Sequence, residues 1–504
     1  MPDVTLPDMF LGAARAYPER IALDFMGREM TYAKLAHEVG NVAASLQLLG
    51  VSKGTRVALM LPNCPYYPIF YYAVLLAGGV VVNLNPLYTA VELEHIVGQA
   101  KAEIVVSLDM PSHVAKLLEM AENVPVRHVI TCPLGPWLPW VKRSAYEALG
   151  WWRREVRTHP LVTGYGALRA VASGLQVVQV AVGDVAVLQP TGGTTGIPKL
   201  AALTHGNLVA NAAQSRVLLE GVTLPENGRV FLCVLPFFHV FANTALLNLG
   251  LATGARLVMM PRFEMKDFLA TLRRVNPTLI GVVPALLQKL AENKKARRDD
   301  FAGVGFIISG GAPLPVDVAE AFTEKFGVEV HEGYGLTEAS PVVACNAPGK
   351  RKLGSVGRVL AGTDVKFFDL DNPRREVGVG VPGHIVVRGP QVMQGYDNNP
   401  EETKLVLKKG WLHTGDIGMI DEDGYVHLTD RAKDIVMVSG FKIFPRQVED
   451  ALRAHPDVAE IVVLGLPHRS KGEQVVAVIR AVEGRRLTEE DVAAFAKVCL
   501  NPLA

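Results

Sequence analysis

Cysteine is scarce and scattered in this 504-residue sequence: Cys64, Cys132, Cys233, Cys345 and Cys499 form no C-x-x-C pair and their number is odd. A disulfide framework is thereby not expected, and reduced thiols in a cytoplasmic setting are. An excess of one charge is lacking too. Lys and Arg number 51 against 50 Asp and Glu, a net of +1, so electrostatics give no reason to expect nucleic acid as a partner. No long basic run or zinc-finger spacing does so either. The most apolar stretch, Ile69 to Val82, is too short to span a bilayer and contains Gly78 and Gly79. The amino terminus carries Asp3 and Asp8 where a secretory signal would be basic and then apolar.

What is present is an ample supply of core, with 49% apolar and 20% charged residues. The length exceeds what one hydrophobic core serves, so two or more units are expected. Up to about residue 130, helical and strand patterns alternate. Ala33 to Leu49 and Tyr71 to Ala77 read as helices, Thr55 to Leu61, Val80 to Asn83 and Glu103 to Leu108 as strands, and a helix begins near Ala90. Such alternation implies parallel strands covered by helices. Between Trp137 and Arg157 the composition shifts: Trp137, Trp140, Trp151 and Trp152 are interleaved with Lys142, Arg143, Arg153, Arg154 and Arg157. Indoles among basic residues suit peripheral contact with a membrane, and equally a hairpin packed on the main body or on a second subunit of a homodimer.

The chemistry concentrates in three strings. The first is Leu188-Gln189-Pro190-Thr191-Gly192-Gly193-Thr194-Thr195-Gly196-Ile197-Pro198-Lys199. Its glycines let backbone N–H groups approach an anion, its threonines add hydroxyls, and Lys199 adds a charge that can follow phosphates. The GTPase type of phosphate loop needs Gly before and Ser or Thr after the lysine, and here Pro198 and Leu200 stand there. The run Asp184 to Leu188 is expected to be the strand leading in, and Leu203-Thr204-His205-Gly206-Asn207 the opening of the helix that follows. The second string, Glu332-Gly333-Tyr334-Gly335-Leu336-Thr337-Glu338, follows a strand pattern. It offers a ring for a base, a hydroxyl for a phosphate oxygen and a hard oxygen for Mg2+. The third is Gly410-Trp411-Leu412-His413-Thr414-Gly415-Asp416, whose carboxylate can take both hydroxyls of a ribose. Gly378-Val379-Gly380-Val381-Pro382-Gly383 mimics a dinucleotide fingerprint, but a strand pattern follows where a helix is required.

Taken together these strings resemble the adenylate-forming (AMP-binding) superfamily, closest to the long-chain fatty-acid CoA ligases. The resemblance implies an α/β fold: a large N-terminal domain of doubly wound parallel sheets with an added antiparallel β region, over 1–430. A hinge at 431–434 and a small mobile α+β lid, incomplete, over 435–504 would follow. It implies ATP, Mg2+ and CoA, with a fatty acid as substrate. Residue by residue, it assigns Thr191, Gly192, Gly193, Thr194, Thr195, Gly196 and Lys199 to the ATP phosphates. Gly311, Ala312, Glu332, Gly333 and Tyr334 fall to the adenine side, Thr337 to the α-phosphate, and Thr194 with Glu338 to Mg2+. Asp416 and Arg431 take the ribose, Lys433 lies near the pivot, Gly440 and Lys442 near the CoA tunnel, and His239 in the wall of the acyl pocket.

One departure shapes the expectation. After Asn501-Pro502-Leu503-Ala504 relatives are expected to continue with a P-x-x-x-x-G-K element carrying the adenylation lysine. A protein ending at Ala504 would lack that cation, at a cost of about 10²–10³ in adenylation rate, while thioester formation would suffer less. Two other readings therefore stand beside the ligase: an enzyme that loads a carrier protein, and a non-catalytic binder of ATP or acyl groups.

Overall fold

The computed structural model describes residues 2–148, 150, 159–170, 174–191, 198–222, 228–432, 434–438, 441–468 and 472–499. The chain divides into two compact units. The larger comprises Met1–Arg351 with Leu360–Thr363 and Gly389–Leu407; the smaller comprises Lys352–Val359, Asp364–Arg388 and Lys408–Ala504. The fold is thus a large N-terminal α/β body of mixed sheets and a smaller α+β unit.

The larger unit holds two sheets. One runs in the spatial order Gly395–Tyr396, Lys199–Thr204, Val185–Thr191, Val80–Asn83, Arg56–Met60, Ile104–Leu108, His128–Cys132, Val162–Gly164. It is parallel from Val185–Thr191 onward and antiparallel at the two strands before it. Val80–Asn83 and Ile104–Leu108 are buried on both faces, as their unbroken β-branched character requires. The other sheet orders Val342–Cys345, Val330–Gly335, Phe306–Ser309, Leu279–Val282, Val230–Cys233, Arg256–Met259, Ile21–Phe25 and Arg28–Thr31. Its interior is parallel and its two ends antiparallel.

Helix Tyr66–Leu76 packs on strands Arg56–Met60 and Val80–Asn83 and starts five residues before the expected Tyr71. The cause is its surroundings: residues 66–75 are all buried, so no polar stripe exists for a periodicity to reveal. Helix starts with side-chain caps were easier to read. Thr204 caps the amide of Asn207, and Asn207 returns the bond to Thr204 N, at the head of His205–Arg216.

In the smaller unit Asp364–Phe368, Gly383–Arg388, Trp411–Ile420 and Val426–Arg431 form an antiparallel sheet. The false dinucleotide string leads into its second strand, as the pattern after it required. The acidic turn at Asp421 and Asp423 is neutralised by Lys352, whose Nζ lies 2.6 and 2.8 Å from their carboxylates. A second sheet, Phe441–Ile443, Val436–Val438, Gly472–Ala481, Val458–His468, packs its core residues Val436, Ile443, Ile461 and Val463 against Val448 and Leu452 of helix Pro445–Arg453.

Trp137 packs edge-on against Tyr66, ring centroids 6.3 Å apart, whereas Trp140 is 76% exposed at the start of helix Trp140–Ala148. Trp151, Trp152, Arg153, Arg154 and Arg157 lie outside the described residues. Among the described residues no helix is long and apolar enough to cross a membrane.

Two buried histidines make stability depend on pH. His205 accepts the amide of Leu6 on Nδ1, 3.3 Å away, and His331 packs at a tilt against the Phe306 ring; burial pushes each imidazole down to about 4. Below pH 6.5 the unfolded chain therefore binds protons that the folded chain refuses, so stability drops as pH falls from 6.5 towards 4. Each group contributes about 3 kcal/mol over that window. Urea unfolding between pH 7 and 4 should show the loss, and His205→Asn, which keeps an acceptor for Leu6, should remove about half of it, leaving the share of His331.

Candidate active site

The glycine-threonine string connects a hairpin. Val185–Thr191 pairs antiparallel with Lys199–Thr204, and Thr191 stands opposite Lys199. This corrects the expected order of strand, loop and helix, because a second strand intervenes before the helix capped at Thr204. Its signal was Leu200-Ala201-Ala202-Leu203, buried throughout. Gly192, Gly193, Thr194, Thr195 and Gly196 lie outside the described residues.

Lys199 does not project freely. Its Nζ lies 2.5 Å from Glu402 Oε2 and 5.4 Å from the centroid of the Tyr396 ring. The hydroxyl of Tyr396 donates to Glu338 Oε1 at 2.8 Å. Lysine and carboxylate, 139 positions apart in sequence, are thus linked through one aromatic ring. The segment carrying that ring is fixed by backbone: Met393 N donates to Glu338 O, Gln394 N to Ala202 O and Asp397 N to Leu200 O, at 2.8, 3.0 and 2.8 Å. Burial and the neighbouring Glu338 push the Tyr396 phenol well above its ordinary value, so it stays a donor.

The second string ends the strand Val330–Gly335, next to the turn at Ser309-Gly310-Gly311-Ala312-Pro313. Ser309 pairs with Glu332, whose Oε1 accepts the amide of Leu314 at 3.0 Å and so closes the turn. Gly311, at φ +80°, and Ala312 are exposed, and Tyr334 is buried. A Cβ on Gly310 would lie 3.3 Å from the Phe241 ring and 3.4 Å from Gly333 O. Three segments, around 241, 310 and 333, therefore meet at backbone distance. A Cβ on Gly335 would fall 2.0 Å from the carbonyl oxygen of Pro341, so that position admits only glycine. Thr337 and Glu338 follow in a short 3-10 turn, both half-buried.

His239 caps the turn Val240–Ala242, its Nδ1 accepting from Phe241 N at 3.4 Å. The residue keeps an exposed surface, yet the protein mass around it lowers the imidazole pKa by desolvation. The segment before it is anchored on a buried amide and phenol network. Asn63 Nδ2 donates to Cys233 O and Leu235 O, Tyr67 OH to Phe237 O, and Gln189 Nε2 to Phe238 O. Asn83 joins Gln189 to Tyr67, through bonds of 2.8 and 2.6 Å. The strand that enters the phosphate-type loop and the turn that carries His239 are therefore tied to each other.

In the smaller unit, Arg431 Nε stands 3.5 Å from Asp416 Oδ1, on strands paired at those two residues. Lys442 pairs by backbone register with Met437; its side chain, like Lys433 and Gly440 entirely, lies outside the described residues. Among the described residues no three His, Cys, Asp or Glu side chains gather as a metal cluster.

The family model described as AMP-binding enzyme matches residues 10–397, and that described as AMP-binding enzyme C-terminal domain matches residues 447–504. The chain belongs to the AMP-binding enzyme family. Its activity class is the acid–thiol ligase chemistry typical of that family. This AMP-binding enzyme is 36% identical over 515 residues to a long-chain-fatty-acid–CoA ligase of Bacillus subtilis, covering 100% of this chain and 90% of the relative. ATP-bound MatB from Rhodopseudomonas palustris superposes with a TM-score of 0.85 at 28% identity, over 99% of this chain and 93% of that one. The amide bond synthetase McbA from Marinactinospora thermotolerans gives 0.82 at 27%, over 99% and 94%.

Sequence reasoning singled out Lys199 and Glu338 but missed Tyr396 and Glu402, the residues of the AMP-binding enzyme that join them. The available signal was Gly395-Tyr396 before an Asn399-Pro400 helix start. The amide network under His239 had no local signal, since its bonds span separations from 16 to 172 positions.

Proposed function

We propose that this chain is an ATP-dependent fatty acyl-CoA ligase. The carboxylate oxygen of a fatty acid attacks the α-phosphorus of ATP, the bond to pyrophosphate breaks, and acyl-adenylate forms. The thiol sulfur of CoA then attacks the acyl carbonyl, its proton passes to solvent, and AMP departs. The observation that supports this best is the linkage of Lys199 to Glu338 through Tyr396 at the foot of the loop.

In this reading Thr191, the loop amides and hydroxyls, and Lys199 hold the β- and γ-phosphates, while Thr337 donates to an α-phosphate oxygen. The bare turn at Gly311 and Ala312, with Glu332 and Gly333 behind it and Tyr334 beside it, takes adenine. Asp416 and Arg431 take the ribose. Gly440 and Lys442 flank CoA, and Lys433 lies near the pivot. The chemistry of Glu338 fits Mg2+: one carboxylate oxygen is oriented by Tyr396 and the other accepts nothing among the described residues. Mg2+ needs only one or two protein carboxylates beside phosphates and water, and Thr194 is the second ligand proposed. When bound, the ion offsets phosphate charge.

The acyl class rests on the fatty-acid ligase relatives and on the apolar turn formed by Phe237, Phe238 and Phe241 around His239. Acid-dependent pyrophosphate exchange, run over a panel of fatty acids with and without CoA, tests it. CoA-dependent AMP release with medium or long acids is expected. Exchange without CoA turnover would point to another acceptor, and tight ATP binding without exchange would point to a binder.

A further inference from the structure

Resting on that reading, we propose that Glu402 positions Lys199 and competes with the phosphates of ATP for it: the carboxylate holds the ammonium until triphosphate takes it and reclaims it as pyrophosphate leaves. The helix start at Asn399-Pro400 marked the segment but did not single out this residue. Glu401 and Glu402 are adjacent, but Glu401 lies 82% exposed against Lys404 while Glu402 meets Lys199 at 2.5 Å.

The contact is built rather than incidental. Lys199 is the first residue of a strand whose second and third residues, Leu200 and Ala201, receive the segment that carries Glu402. Tyr396 pairs with Ala201, and Asp397 N donates to Leu200 O. Thr403 Oγ1 accepts Tyr396 N at 2.9 Å and donates to Asn399 O at 2.8 Å, locking the first turn of helix Pro400–Val406 onto that strand. The Glu402 carboxylate therefore approaches Lys199 from a fixed backbone, with the Tyr396 ring alongside. The Lys199 side chain is only 16% exposed, so its ammonium has little water to fall back on and keeps an anionic partner at all times. A carboxylate and a polyphosphate cannot both sit at close range on one cation without repelling each other. Binding of nucleotide then means exchange of one anion for another, and the same carboxylate speeds loss of the second anion once the α–β bond has broken.

The test is the ATP KM, the pyrophosphate inhibition constant and ATP affinity by calorimetry for wild type, Glu402→Gln, Glu402→Asp, Lys199→Gln and the double variant Lys199→Gln/Glu402→Gln. Removal of the rival charge in Glu402→Gln is expected to tighten both ATP and pyrophosphate by about three- to tenfold and to lower kcat through slower product release. Glu402→Asp, which keeps the charge but is one methylene too short for the contact, is expected to tighten ATP as well. In the Lys199→Gln background the Glu402 effect is expected to vanish, which a merely structural role would not produce. Unchanged or weaker ATP binding in Glu402→Gln overturns the proposal, as does a shift that persists without Lys199. If wild type shows no acid-dependent exchange but Glu402→Gln still tightens ATP in calorimetry, the ligase reading fails while the rivalry stands.

Discussion

Replacing Glu338 by glutamine is expected to slow acyl-adenylate formation by about 10²–10³, on the scale of removing one preorganised electrostatic partner from an active site. The substitution is nearly isosteric, and the amide oxygen can still accept the Tyr396 hydroxyl that lies 2.8 Å from Glu338 Oε1. Packing, and the backbone bond from Met393 N to Glu338 O, therefore survive. What disappears is a formal negative charge on a hard oxygen, the property on which Mg2+ affinity depends. Pyrophosphate exchange measured against total Mg2+ should show a lower plateau and a midpoint at higher concentration. Thioester formation from supplied acyl-adenylate should fall far less, because no triphosphate is then present. Exchange at the wild-type rate would remove Glu338 from the metal site. Tyr396→Phe, which leaves the carboxylate charged but unoriented, is the graded control, with a loss of about tenfold expected.

How much of this was readable beforehand depended on the range of the interaction. Thr204 and Asn207, three apart, form a capping box that a sequence displays directly. The buried strands at Val80–Asn83 and Ile104–Leu108 announce themselves by unbroken β-branched runs. The sequence shows the second string's glycines flanking Tyr334, but not the reason that Gly335 is required. That reason is the carbonyl of Pro341, six positions on, folded back by the antiparallel strand Val342–Cys345. Strand Lys199–Thr204 escaped notice because Lys199 drew attention as a charge, although the apolar run behind it has the length of a strand. For Tyr396 and Glu402 the helix start at Asn399-Pro400 marked the segment but not what the two side chains touch. Their roles exist only because Gly395–Tyr396 adds to the edge of that unnoticed strand, so one missed element hid the whole linkage between lysine and carboxylate.

Asn243→Leu should destabilise the larger unit by about 3–5 kcal/mol, since it strands several buried polar groups at once. Asn243 is 1% exposed, in the π-helical segment Asn243–Asn248. Its Oδ1 accepts from Tyr71 OH at 3.0 Å and Asn248 Nδ2 at 3.1 Å, and its Nδ2 donates to Tyr67 OH at 3.2 Å and Phe237 O at 3.3 Å. Leucine has similar volume, so the cost isolates hydrogen bonding from cavity formation. The neighbour Thr244 is the internal contrast. It is equally buried, yet its hydroxyl has no partner among the described residues, so Thr244→Val should be neutral or slightly stabilising by urea unfolding. A functional consequence separates the network from mere packing. Phe237 O is the point at which Asn243 and Tyr67 hold the turn that carries His239, and Gln189 holds the next carbonyl, Phe238 O. Asn243→Leu should therefore raise the fatty-acid KM more than the ATP KM, while Gln189→Leu, acting on the strand that enters the phosphate-type loop, should raise both. Equal shifts in the two variants would mean that the amides only fill the core.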